Sequence, residues 1–347
     1  MEPSQPLPAD APPPFPDLSD LPAEALALPE GDAAPGLLPG GQPAGFRSGF
    51  VALIGRPNVG KSTLLNQLVG QKVAITSPVA QTTRNRLRAI LTTPTAQLVL
   101  LDTPGIHKPH HLLGERLVQT ARGAIGEVDV VLLLVDGSQP AGRGDGFIVD
   151  LLRHQRSPVL VALNKSDLAE PAQQQELLAS YRELLNGDGS RPPLDWSLHP
   201  CSALTGDACE GLVSALAACL PEGPHLYPPD AVSDQPEQLL LAELIREQVL
   251  THTREEVPHS VAVSIDRIVE DGPRMAVLAT VLVERTSQKA ILIGKGGRML
   301  REIGSGARLQ MQTVFGGPVY LELFVKVVPN WRRHSGRLNE LGYTGLD

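Results

Sequence analysis

The chain has 347 residues, enough for two domains of ordinary size plus a tail, and a formal net charge of −8. No apolar run reaches the roughly 18 residues a transmembrane helix needs. Three cysteines without Cys-x-x-Cys spacing exclude a disulfide framework or a zinc ribbon and fit reduced thiols in a cytosolic protein. The acidity argues against a nucleic-acid partner only if it is evenly spread. Residues 1–48 hold seven acids against the single Arg47, a net of −6.

That first segment is rich in Pro, Ala and Gly and has no apolar periodicity, so it cannot bury enough surface to offset its chain entropy. It lacks the basic start and apolar core of a signal peptide and the arginines of a transit peptide. It is expected to be a disordered extension, or the product of a misplaced translation start.

From Phe50 to Ile54 an apolar run predicts a strand. Gly55, Arg56, Pro57, Asn58, Val59, Gly60, Lys61, Ser62 and Thr63 follow, and an apolar helical pattern opens at Leu64. Strand, glycine-rich loop and helix in that order form a phosphate cradle. The glycines let successive N–H groups turn inward, and the helix N-terminus adds positive potential. Lys61 can reach β- and γ-phosphates, and the Ser62 hydroxyl can ligate Mg²⁺.

Three more segments follow, each ending a predicted strand. Asp102, Thr103, Pro104 and Gly105 follow Leu98–Leu101; the carboxylate can hold Mg²⁺, and Gly105 can offer its N–H to a γ-phosphate. Asn164, Lys165, Ser166 and Asp167 end the strand Val159–Leu163. An Asp167 carboxylate can accept two hydrogen bonds from guanine, where adenine presents no donors, and an unpaired buried carboxylate is costly. Lys165 would lie along the base, and Asn164 would tie this loop to the phosphate loop. Cys201, Ser202 and Ala203, after Asp195–Pro200, offer small side chains and N–H groups near guanine O6. Ligands of open α/β sheets collect at this strand edge, so four such segments in order point to GTP.

Residues Thr76 to Asn85 resemble the first switch of the Era-type GTPases. That resemblance makes Thr83 the Mg²⁺ ligand of the switch, with Thr82 the alternative. Ile106 follows Gly105 where Ras-like enzymes carry a water-orienting Gln, so hydrolysis should be slow. In related potassium-dependent GTPases an Asn of the phosphate loop helps bind K⁺; Asn58 holds that place here, or caps the loop internally. His107, His110 and His111 sit in a Pro-containing loop without zinc spacing and read as solvated.

A helix from about Glu210 to Leu220 should close the GTPase domain, residues 49–220, and residues 221–236, rich in Pro at first, read as a linker separating two functions. Beyond it, residues 237–347 pattern as an amphipathic helix Gln238–Leu250, strands His259–Val269 and Met275–Glu284, helices Gln288–Ile293 and Arg298–Gln312, and a strand Tyr320–Val327. Gly294, Lys295, Gly296 and Gly297 join the two short helices, the arrangement of a KH domain, whose loop clamps about four nucleotides of single-stranded RNA. Arg285, Lys289, Lys295, Arg298, Arg301 and Arg308 face only Glu302 there, a local net of +5.

Glu284 to Gly297, Val325 to Val327, Trp331 and Leu341 to Tyr343 extend the resemblance to bacterial Era across residues 50–343. The fold it implies is an α/β P-loop GTPase domain, with a mixed, mostly parallel sheet and helices on both faces, followed by an α+β KH domain of the second type. It also implies binding near the 3′ end of 16S rRNA, promotion of 30S subunit assembly, a monomer, and a cytoplasmic protein with a fraction at the inner face of the cell membrane. The long N-terminal extension departs from the family pattern. Two other readings stay open: a related tRNA-modification or ribosome-assembly GTPase, and an RNA tether that senses GTP without needing hydrolysis.

Overall fold

The structure is a computed structural model that describes residues 37–38, 42–77, 87–103, 105, 123, 125–187 and 189–341. The chain divides into two units. In the first, Met1–Ala44, the two-residue strands Leu37–Leu38 and Gln42–Pro43 pair antiparallel. The second, Gly45–Asp347, holds everything that follows. The extension expected over residues 1–48 falls almost wholly outside the described residues. Its end was set too late, because Phe46 is already buried and Arg47 opens the first long strand.

Six strands make the larger sheet: β1 (Arg47–Gly55), β2 (Leu87–Thr92), β3 (Ala96–Asp102), β4 (Val130–Asp136), β5 (Val159–Asn164) and β6 (Ser197–Pro200). Their spatial order is β2-β3-β1-β4-β5-β6, with β2 antiparallel to β3 and every other pair parallel. The central strands read as unbroken apolar runs because both of their faces are covered. Alternation then divides their side chains. Val51 and Leu53 pack with Leu64 and Leu65 of α1 (Lys61–Val69), and with Leu212 and Leu216 of a later helix, Cys209–Cys219. Ala52 and Ile54 face the opposite layer, α2 (Arg143–Leu152) and α3 (Pro171–Asn186), through Ile148, Leu152, Tyr181 and Leu185. The Cys209–Cys219 helix is α4. The parallel strands all point their carboxyl ends to one edge, which brings Gly55, Asp102, Asp136 and Asn164 together.

The second region comprises α5 (Glu237–His252), α6 (Val257–Ser260), β7 (Ala262–Asp271), β8 (Arg274–Val283), α7 (Thr286–Ile293), α8 (Arg298–Phe315), β9 (Val319–Val327) and α9 (Ser335–Glu340). Its sheet runs β9-β8-β7, with β8 parallel to β9 and antiparallel to β7. Every second residue of β8, Val277 to Val283, is buried beneath α5 and α8, which contribute Leu241, Ile245, Ile303, Ala307 and Met311.

Three expectations change. The strand expected from His259 starts at Ala262, because Pro258 favours a first helical turn and the Ser260 hydroxyl bonds back to the Glu256 carbonyl at 2.8 Å. The segment 221–236 is not a free tether. Pro221 O accepts from Ser48 N (3.1 Å), Val232 O from Ile90 N (2.9 Å), and the fully buried Gln97 side chain accepts from Leu226 N and Tyr227 N at 2.7 and 2.9 Å. It is laced to the sheet edge. Lastly, α5 is buried on more than its apolar face: Arg246 and Glu247 are buried too. Arg246 pairs with Glu243 on its own helix, while Glu247 makes a direct contact between the regions. Glu247 accepts hydrogen bonds from Thr76 N at 2.7 Å, from Lys72 Nζ and, across to α8, from Gln310 Nε2 at 2.6 Å, while Ile75 enters the core of the second region.

Candidate functional site

The phosphate loop turns between β1 and α1 with no room to spare. A Cβ on Gly55 would stand 2.3 Å from Leu134 O, and Gly60 has a φ of +99° with the Asn164 amide 2.3 Å from where its Cβ would be. Asn58 also takes a positive φ, 65°. Lys61 is buried, and its ammonium donates to Gly55 O at 3.2 Å and Arg56 O at 3.0 Å. Burial lowers its pKa to about 8, against the opposing pull of Asp102. Arg56 is pinned to α2 by Asp145, whose carboxylate is 3.1 Å from its guanidinium.

Asp102 ends β3 fully buried, and the Ser62 hydroxyl donates to its Oδ2 at 2.8 Å. A hydroxyl and a carboxylate side by side, at the mouth of a phosphate loop, are the hard oxygen donors that Mg²⁺ takes together with phosphates and water. Among the described residues no three His, Cys, Asp or Glu gather as a metal cage. The Thr103 hydroxyl donates to Leu53 O at 2.6 Å. Gly105 lies so close to the phosphate loop that a Cβ would be 2.9 Å from Pro57 N. Thr82, Thr83, Pro104, Ile106, His107, His110 and His111 lie outside the described residues.

The base loop is clasped to the phosphate loop by one side chain. Buried Asn164 donates from Nδ2 to Val59 O and accepts at Oδ1 from Ala203 N, each at 2.8 Å. Ser166 N donates to Cys201 O (3.1 Å), and the Ser202 hydroxyl donates to Asp167 Oδ1 at 2.6 Å, aiming that carboxylate. Cys201 is buried, which pushes its thiol up to about 12 and leaves it inert. Lys165 reaches Asp136 at the end of β4, Nζ to Oδ2 2.6 Å. Asp136, Asp145 and Glu247 escaped the sequence reading, because each acts on a partner 29 or more residues away.

In the second region Gly294, Gly296 and Gly297 all have positive φ, between 60° and 76°. Space around Gly296 is open, so glycine is required there by backbone conformation. Beside this loop a groove of about 310 Å³ runs between α8 and β9, floored by Leu321, Leu323 and Gly304 and walled by Arg301 and Arg308. Ile303, Ala307 and Met311 anchor the opposite face of α8, which turns those arginines outward. The count of Glu302 as the lone acid needs correction. Glu302 pairs with Arg298 at 2.9 Å, but Glu256 also pairs with Arg285 at 3.1 Å. Lys289 and Lys295 lie on α7 and in the loop itself. The exposed pairs contribute little to stability and can be exchanged for phosphate.

Comparison with known proteins matches a separate family model in each region. Residues 50–165 match a family model described as a 50S ribosome-binding GTPase, and residues 256–332 match a KH domain model. The GTPase Era of a Synechocystis species is 58% identical over 301 residues, covering 87% of this chain and 94% of its own length. GTPase Era of a Nostoc species is also 58% identical over 301 residues, covering 87% of this chain and 91% of its own. Among solved structures, Era in complex with MgGDPNP and nucleotides 1506–1542 of 16S ribosomal RNA superposes with a TM-score of 0.81 at 40% identity, covering 86% of this chain and 99% of that one. An Aquifex aeolicus Era variant bound to GDP and AlF4⁻ gives 0.79 at 38% identity, with 86% and 100% covered. The fold is therefore a P-loop GTPase domain, with a mostly parallel sheet and helices on both faces, followed by a KH domain of the second type.

Proposed function

The chain belongs to the Era family of GTPases, and on that premise we propose that it is a slow GTP-hydrolysing switch that grips 16S rRNA near its 3′ end and promotes 30S subunit assembly. The observation that carries the reading is the double bond-making of Asn164, which joins phosphate loop, base loop and Ala203 through one buried side chain. A nucleotide is thereby measured at both ends by a single rigid edge.

Residues Gly55 to Thr63 cradle the phosphates, with Lys61 supplying the buried positive charge. Ser62 and Asp102, joined by Thr83, would hold Mg²⁺, which when bound neutralises charge on the β- and γ-phosphate oxygens. Asp167 reads guanine, and the Ser202 bond to it supports that role by fixing the carboxylate before the base arrives. Lys61 and Gly105 face the transferring phosphoryl group. Ile106 cannot orient water, and Asn58 would help hold a K⁺ whose charge would stand in for an arginine finger. Hydrolysis faster in KCl than in NaCl, with the difference erased by Asn58→Ala, supports this; equal rates overturn it.

Arg285, Lys289, Gly294 to Arg298, Arg301 and Arg308 form the RNA grip. Preference for the small subunit over the 50S particle follows the full-length neighbour, whose bound RNA is a 16S fragment. A cytoplasmic monomer with a peripheral fraction at the inner membrane face completes the proposal on resemblance alone. Among the described residues no helix is long and apolar enough to cross a membrane.

The test is a filter-binding comparison with a 3′-terminal 16S fragment. Lys295→Asp with Gly296→Asp should weaken RNA binding by about a hundredfold or more while GTP affinity stays within about twofold. A folded double variant that binds the fragment like wild type overturns the RNA assignment.

A further inference from the structure

Lys165 has the longest side chain of the base loop and an unusual backbone. Its φ is +68° and ψ 32°, a left-handed conformation that lysine keeps only under outside constraint. Part of that constraint comes from the end of β4. Asp136 Oδ2 receives the Lys165 ammonium at 2.6 Å, while Oδ1 accepts from the Ser138 hydroxyl at 2.6 Å and from Ser138 N at 3.2 Å.

The backbone below is fixed as well. Gly137 N donates to Asn164 O at 2.7 Å, and the Tyr181 hydroxyl donates to Asp136 O at 3.0 Å. A Cβ on Gly137 would stand 2.9 Å from Asn164 O, so the two loops touch directly. Burial pushes the Asp136 carboxyl up, but hydrogen bonds from Lys165 and Ser138 outweigh burial and hold it below the ordinary carboxylate range. The anchor stays charged at neutral pH.

We propose that Asp136 is a positioning residue for the base site, holding the Lys165 ammonium at the end of β4 so that the lysine stem already lies as a platform for one face of guanine. The inference rests on the reading of Asn164 to Asp167 as the base loop. A free lysine would have to surrender its rotamer freedom when nucleotide binds; an anchored one has surrendered it on folding. The base is common to GTP and GDP, so both should gain equally, and the chemical step should gain nothing.

Fluorescent-nucleotide titration and steady-state hydrolysis with the full chain test this. Asp136→Asn should weaken GTP and GDP alike by about fivefold, leaving kcat at saturating GTP within about twofold. In a Lys165→Met background, which keeps the stem without the charge, Asp136→Asn should have no further effect. An equal loss from Asp136→Asn in both backgrounds would mean that it only shapes the turn, and overturns the proposal. So does unchanged affinity in Asp136→Asn when Lys165→Met has lost it. If Lys165→Met itself binds GTP normally, the tether does not ready the stem and the proposal is overturned, whereas a failed base-loop reading would show as unchanged GTP preference in Asp167→Asn.

Discussion

At the carboxyl edge of the first sheet the polar groups are buried and bonded to one another, whereas along α7 and α8 the cations stand in solvent. Asp102, Thr103, Asn164 and Ser202 are each 2% exposed or less, while the Arg298 side chain is 80% exposed. Asp167 itself stands exposed in the free site, so it is a bound base that would cover its carboxylate, and a wrong base would cover it without a partner. In the wet groove each cation gains by releasing counterions and its exact position matters less. One edge is built for identity and the other for grip.

The sharpest way to break that contrast is at Asp167. Asp167→Asn should cut GTP affinity roughly a thousandfold and shift preference to xanthosine triphosphate, whose C2 carbonyl can accept from the new amide. Competition binding reads both effects. No single Lys or Arg replacement along α7 and α8 should cost RNA affinity more than about tenfold. Unchanged GTP preference in Asp167→Asn would remove the guanine reader and, with it, the contrast.

Glu247 sits where the two regions meet and tests whether buried polar logic extends beyond the nucleotide edge. Truncation to Ala would strand the Lys72 ammonium, Thr76 N and the Gln310 amide together. Glu247 is buried but the Lys72 side chain is 29% exposed, so the loss should cost about 2 kcal/mol, read as a lower urea midpoint. A loss below about 1 kcal/mol would mean that water replaces the carboxylate and that this junction belongs with the wet groove.

How much of this was legible in sequence follows from distance along the chain. Gly55 to Ser62 and Asn164 to Asp167 were readable because phosphate and guanine each demand several groups from one short loop. The apolar runs in β1, β3 and β5 were readable because burial on both faces leaves no polar interruption. Asp136, Gln97 and Glu247 were not. Each looks like an ordinary polar residue until the fold brings its partner from 29, 130 or 171 positions away. The strand starts at Ala262 instead of His259 for a local reason: apolar neighbours suggest a strand, but the ring and missing N–H of Pro258 suit a first helical turn that runs to Ser260.

The smallest expected effect separates the two sites by pH. In the free site Lys61 has a pKa of about 8, because burial disfavours its charge more than Asp102 restores it. Below that pH the ammonium is already present when a triphosphate arrives. Above it the free site is mostly neutral and binding must take up a proton, so GTP affinity should fall by up to about tenfold per pH unit toward the ordinary lysine value. The groove is walled by Arg301 and Arg308, so RNA affinity between about pH 7.5 and about pH 9 should change less than about twofold. Salt should act the other way round. RNA affinity should drop with a log–log slope of about −4, from the release of counterions by Arg285, Lys289, Lys295, Arg298, Arg301 and Arg308, while the buried Lys61 is screened far less. A GTP affinity that stays flat through about pH 9 would show that Lys61 is not the charge the phosphates meet, and the dry site would lose its central cation.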